Sequence, residues 1–118
     1  MSLKINNLDG FIIGGVLNPS ITEIYVRANV DMNKQQAILD DQQNVEFISI
    51  KTNAKSTLLG GLFDTSISVD GISPIYWLKY SVDVTDMNQQ YLEIETDLKT
   101  ILEVGNPSWT IEIIDISI

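Results

Sequence analysis

The sequence predicts an α+β domain: a mixed β-sheet of four to five strands carrying one amphipathic helix, over about 86–104, within a C-terminal βαβ unit. Three observations lead there. Ile, with Val and Tyr, dominates the apolar content and favours sheet. Apolar and polar residues alternate at 24–32 and again at 75–85, the pattern of half-buried strands. After Thr85 the apolar period changes to that of a helix. An all-β sandwich is the alternative architecture. At 118 residues, with a hydrophobic fraction of 44%, the chain suits a single domain with its own core.

Residues 1–20 are short apolar pieces broken by Asn6-Asn7, Asp9-Gly10, Gly14-Gly15 and Asn18-Pro19. These turn signals predict an N-terminal arm or edge segment without regular structure. From there Ile24, Val26, Ala28, Val30 and Met32 alternate with Tyr25, Arg27, Asn29 and Asp31, giving a strand. Residues 33–44 read as a hairpin with a short second strand or as one short helix, the hairpin being preferred. Val45, Phe47 and Ile50 mark a further strand reaching about Thr52.

The stretch 53–74 is long and irregular, with Gly60-Gly61, Asp70-Gly71 and a short strand candidate at 66–69. A loop of that length in a small domain is usually functional or ordered by a neighbour. In 75–85, Tyr76, Leu78, Tyr80, Val82 and Val84 share one strand face, and Trp77, Lys79, Ser81 and Asp83 the other.

Met87, Tyr91, Ile94, Leu98, Ile101 and Leu102 then fall on one stripe of about 100°. Asp86 is placed to cap this helix with Gln89 as reciprocal partner, and Gly105 and Pro107 stop it. The last strand starts at Trp109, expected in the core. Ile111 and Ile113 share its face, whereas Ile114, Ile116 and Ile118 switch to the other. A segment echo links 11–21 with 57–67, both of which carry a Gly-Gly pair between apolar residues. A duplicated half-domain and coincidence both account for it.

Composition excludes several chemistries. The chain has no His and no Cys, so His-based triads, His-based zinc sites, thiolates and disulfides are all absent. Its carboxylate clusters, Asp40-Asp41, Asp83 with Asp86, and Glu93, Glu95 and Asp97, read as a solvated acidic face rather than as a catalytic pair. An EF-hand at 83–94 fails, with Met87 and Asn88 where a ligand and Gly belong and Ile94 at the final position. The Gly-Gly pairs lack the Lys-Ser/Thr of a phosphate-binding loop. No enzyme activity, metal or cofactor is therefore expected.

Net charge is −9, and the seven basic residues are scattered, so no footprint for nucleic acid can form. An acidic surface also repels anionic membranes, and no apolar run approaches a spanning length. Lys4 followed by Asn6, Asn7, Asp9 and Gly10 does not read as a secretory signal, so a cytoplasm-made chain is expected.

What remains is apolar surface in segments too broken for regular structure. Phe11, Ile12, Ile13, Leu58, Leu59, Leu62 and Phe63, with Trp77 on a polar strand face and the terminal Ile116 and Ile118, are the candidate protein-contact residues.

The layout of a turn-rich arm, a strand at 24–32, a loop-rich middle, a strand at 76–85, Asp86-Met87-Asn88-Gln89-Gln90-Tyr91-Leu92-Glu93-Ile94 and Trp109-Thr110-Ile111-Glu112-Ile113 resembles small structural proteins of tailed-bacteriophage virions, especially tail and neck components. The resemblance spans most of the chain and carries over no site residue. It implies a non-enzymatic structural virion subunit in a homo-oligomeric ring or stack, touching its own copies and neighbouring structural proteins, assembled in the host cytoplasm. The competing expectation is a cytoplasmic, acidic, one-to-one inhibitor of the immunity type, directed at a basic effector.

Overall fold

The computed structural model describes residues 1–36, 45–57, 66–81 and 87–116. In chain order the elements are β1 (Ser2–Asn6), β2 (Phe11–Ile13), β3 (Val16–Asn18), β4 (Glu23–Gln36), β5 (Val45–Lys55), β6 (Ser66–Ile67), β7 (Ile75–Ser81), α1 (Met87–Gly105) and β8 (Thr110–Ile114). The α+β class is thus observed, with a main sheet, a separate β2–β3 pair and one helix near the C-terminus.

The expectation of an unstructured N-terminal arm is corrected. β1 lies inside the main sheet, antiparallel to β4 on one side and to β8 on the other. Its five residues do alternate: Leu3 and Ile5 are buried, while Lys4 and Asn6 between and after them are half-exposed. The Asn6-Asn7 signal marks the end of that strand, not the lack of one. Farther along, β4 continues past the predicted limit to Gln36, with a register shift against β5 between Val30 and Lys34. Residues 37–44, where the hairpin-or-helix choice fell, lie outside the described residues.

On its other edge, β5 carries two strands end to end. β7 pairs with its first seven positions, Val45 to Lys51, and β6 pairs with Ala54 and Lys55. Among the described residues six strands therefore occupy five ranks. Every pairing among the described residues is antiparallel, so the expected mixed sheet is corrected to an antiparallel one. β7 and β8 do run the same way, as a strand–helix–strand unit requires. However, β5, β4 and β1 lie between them, and α1 is the connection across that width. The 14 residues of β4, at about 3.3 Å each, nearly span the 49 Å long axis of the molecule.

The register stacks the core in rows. Ile111, Ile5 and Ile24 stand side by side, as do Ile113, Leu3, Val26, Ala54 and Ile67. α1 packs on β8 and β1, bringing Ile94, Leu98 and Leu102 to the same core. Fully burying each such side chain contributes about 1.5–3 kcal/mol. The helix bounds match the sequence reading within one residue. Asn106 N–H still reaches Leu102 O (2.9 Å), and Pro107, lacking an N–H, ends the series. Ile101 is a correction: it belongs to the apolar stripe but is exposed, because at that turn only the Leu102 flank meets the sheet.

These facings predict a graded response in urea unfolding followed by circular dichroism. Leu98→Ala should lower stability by about 2–5 kcal/mol through loss of burial and a cavity. Ile101→Ala and Thr96→Ala, both on exposed side chains, should stay within about 0.5 kcal/mol of the parent.

Candidate interaction surface

β2 and β3 form a hairpin closed by Gly14 and Gly15, with φ of 58° and 81°. Two successive positive φ values give the turn whose twist matches a two-residue hairpin, which only a Gly-rich pair adopts without strain. The functional and structural readings of this Gly-Gly pair thus coincide in a tight turn that projects apolar residues. The second Gly-Gly pair, with most of the 57–67 segment of the echo, lies outside the described residues.

The hairpin is tied down by residues 68–70. Gly14 N–H donates to Ser68 O (3.2 Å), Asp70 N–H donates to Ile12 O (2.8 Å), and Ile13 bridges Val69. Alternation then splits the apolar run. Phe11 is buried in the core, with its ring 5.3 Å from that of Trp109, and Ile13 is half-buried. Ile12 and its cross-strand partner Leu17 point away, 46% and 57% exposed. Phe11 is accordingly corrected from contact surface to core, and Leu17, not singled out from the sequence, joins Ile12. Its signal was available: pairing across a two-residue Gly-Gly turn sets Ile12 opposite Leu17.

Beside this face lies a groove of about 320 Å³. Ile12, Leu17 and Trp109 line it, with Asp9, Asp70 and Asn106 among its polar groups. Gly71 sits where the 70–71 turn approaches this wall. With φ of 95°, its position would set a Cβ 2.7 Å from Asn106 Oδ1 and 3.2 Å from the Trp109 ring. Glycine is what allows that closeness. Asp9 is fixed by the turn before the hairpin, where Gly10 N–H donates to Asn7 O (3.0 Å) and Asn7 Nδ2 to Gly10 O (2.7 Å).

Of the other predicted contact residues, Trp77 is 54% exposed and shares the outer face of β7 with exposed Ile75. Ile116 is exposed, and its carbonyl accepts a hydrogen bond from Ser2 Oγ. Leu58, Leu59, Leu62, Phe63 and Ile118 lie outside the described residues. Trp109 is half-buried against the core, close to its expected place.

The electrostatics separate into two regimes. On the outer face, Lys4 bridges Glu112 (3.7 Å), its registered neighbour on β8, and Glu23 (3.0 Å), which lies two residues along β4 from its registered neighbour Tyr25. The hydrogen bond that Lys4 donates to Glu23, together with the Glu23 charge, holds Lys4 above its ordinary pKa. Glu95 is different, and corrects the solvated-face reading: it is 2% exposed and lies on the core side of α1. Burial pushes its carboxyl up, partly offset by the Met1 amino group 4.0 Å from Oε1. Its Oε2 is buried with no hydrogen-bond partner among the described residues. Glu93 and Asp97, on the same helix, are exposed.

Among the described residues no group of three or more acidic side chains is arranged to hold a metal ion, and no helix is long and apolar enough to cross a membrane. Comparison with protein-family models, curated proteins and solved structures finds no match for this chain.

Glu95 makes stability pH-dependent in a defined direction. A carboxyl whose folded pKa is raised above its unfolded value holds its proton more tightly when folded, so its contribution is full below the unfolded pKa and is lost as pH rises through the folded one. The stability difference between the parent and Glu95→Gln should therefore shift against the parent as pH rises from acidic to neutral, then level off. Urea titrations across that range measure it, and a pH-independent difference is the contrary result.

Proposed function

We propose that this protein is a non-enzymatic structural subunit of a multi-protein assembly that works through protein–protein contacts. Following the resemblance of its layout, we assign it to the tail or neck of a tailed-phage virion, where it would touch its own copies and neighbouring structural proteins. The observation that carries the reading is a pair of exposed apolar sites on different elements: Ile12 with Leu17 on the hairpin, and Ile75 with Trp77 on β7. Single exposed apolar residues are ordinary on any surface, but grouped ones mark contacts. Trp is also the residue most enriched where binding energy concentrates.

A subunit inside a ring or stack needs more than one contact face, whereas a one-to-one inhibitor needs one. Two sites therefore favour the assembly reading. β7 adds a second reason, since among the described residues it pairs with β5 alone, and an edge strand is a ready template for another chain. The inhibitor reading keeps one support of its own, the net charge of −9, which suits a basic effector.

Mass photometry and light scattering on the purified chain test the proposal. Oligomers are expected, and Trp77→Asp should weaken self-association by about tenfold or more, the usual effect of losing one anchoring aromatic. Because Trp77 is largely exposed, its replacement should leave the unfolding midpoint nearly unchanged. A protein that stays monomeric at its highest soluble concentration, alone and with host lysate removed, would favour the one-to-one inhibitor instead.

A further inference from the structure

We infer that the groove beside the β2–β3 hairpin receives a basic, Arg-containing segment of a different protein; this rests on reading the chain as a protein-binding subunit. The groove combines three features that one kind of side chain satisfies together. Among the described residues its only ionisable lining groups are Asp9 and Asp70, both acidic, and neither is in an ion pair with another described residue. Its apolar wall is Ile12 and Leu17, both about half-exposed. Its aromatic surface is Trp109 and Phe11, whose ring centroids lie 5.3 Å apart.

An Arg side chain lays an apolar stem along aliphatic surface, stacks its planar guanidinium on an indole, and offers paired N–H donors to a carboxylate. Lys supplies the stem and the charge but not the fork or the stacking plane, so Arg is the better fit. The 320 Å³ volume accommodates one such side chain with its solvent, not a folded element.

Two facts argue that the site is prepared in advance. The Asp70 backbone is bonded to Ile12, and the Asp9 backbone is fixed in the Asn7–Gly10 turn, so both carboxylates are carried by anchored chain. Asp9 and Asp70 repel an acidic segment at close approach, so the groove selects a basic one. The same field attracts a basic segment and speeds its encounter. The partner is thus a protein that presents an exposed Arg flanked by apolar residues.

The probe is the capped peptide acetyl-Arg-Leu-Arg-Leu-Arg-amide, labelled for anisotropy and titrated into the full chain. Its analogue with each Arg replaced by neutral citrulline serves as comparison, and amide shifts are followed by two-dimensional NMR. Shifts are expected at residues 9–12, 17, 70 and 109. The citrulline peptide should bind at least about tenfold more weakly, and affinity should fall with salt. Asp9→Asn with Asp70→Asn should weaken binding by a similar factor at an unchanged unfolding midpoint. Glu93→Gln with Asp115→Asn, which removes equal charge elsewhere on the surface, should change it little.

Equal binding of the citrulline peptide, or equal losses from the two double variants, would overturn the inference by showing no charge selection or only a diffuse acidic attraction. Repeating the titration with Trp77→Asp separates the two claims. Peptide binding by a chain that never self-associates sinks the assembly proposal and keeps the groove. An oligomeric chain that ignores the peptide does the reverse.

Discussion

β1 is hydrogen-bonded along both edges, and this double pairing is what the rest of the molecule depends on. Through it Leu3 and Ile5 meet Val26 and Ile24 on one side and Ile113 and Ile111 on the other, so residues more than a hundred positions apart in sequence share one apolar row. Without β1, β4 and β8 would be separate edges and α1 would have half a floor. Ile94, Leu98 and Leu102 are buried because β1 and β8 together are wide enough to lie beneath them. The outer face repeats the logic in charge, since Lys4 reaches Glu23 and Glu112 only because their strands flank its own.

The small layer at the end of the sheet follows from a local rule and a nonlocal one. The Gly14–Gly15 turn fixes which hairpin residues are opposite each other, and alternation sends Phe11 and Ile13 one way and Ile12 and Leu17 the other. Residues 68–70 then decide which face is inside, by bonding to the hairpin backbone and bringing Val69 to Ile13. The groove is what remains between that layer, the 70–71 turn and Trp109. Its apolar wall is the hairpin face that the fold does not use.

Glu95 stands against this pattern. Placing a carboxylate on the core side of α1, with one oxygen lacking a hydrogen bond among the described residues, opposes folding where its neighbours favour it. The Met1 amino group offsets part of that by charge at 4.0 Å. An apolar residue of similar size would fit the stripe better, so the acid is a site where local pattern and tertiary environment disagree.

The sequence by itself determined the faces. Alternation at 24–32 and 75–85 and the stripe through Ile94, Leu98 and Leu102 announced which side chains share a face, because strand and helix periods are set by backbone geometry within a few residues. Among the described ones Ile24, Val26, Ala28, Ile94, Leu98 and Leu102 are buried, and Tyr76 and Leu78 pack against the core. The acidic surface and the lack of His and Cys were equally plain. Tertiary structure decided which faces meet. The five residues of β1 are too short a pattern to announce an interior strand, and its place depends on partners supplied by 23–26 and 110–114. Phe11 and Ile12 are equally apolar, yet opposite faces of one strand put the first in the core and the second in solvent. Ile101 is exposed and Glu95 buried for the same reason: a helix period says which residues share a side, whereas the neighbouring sheet sets where that side ends. Pairing and coverage are free-energy choices among distant segments, and no local period encodes them.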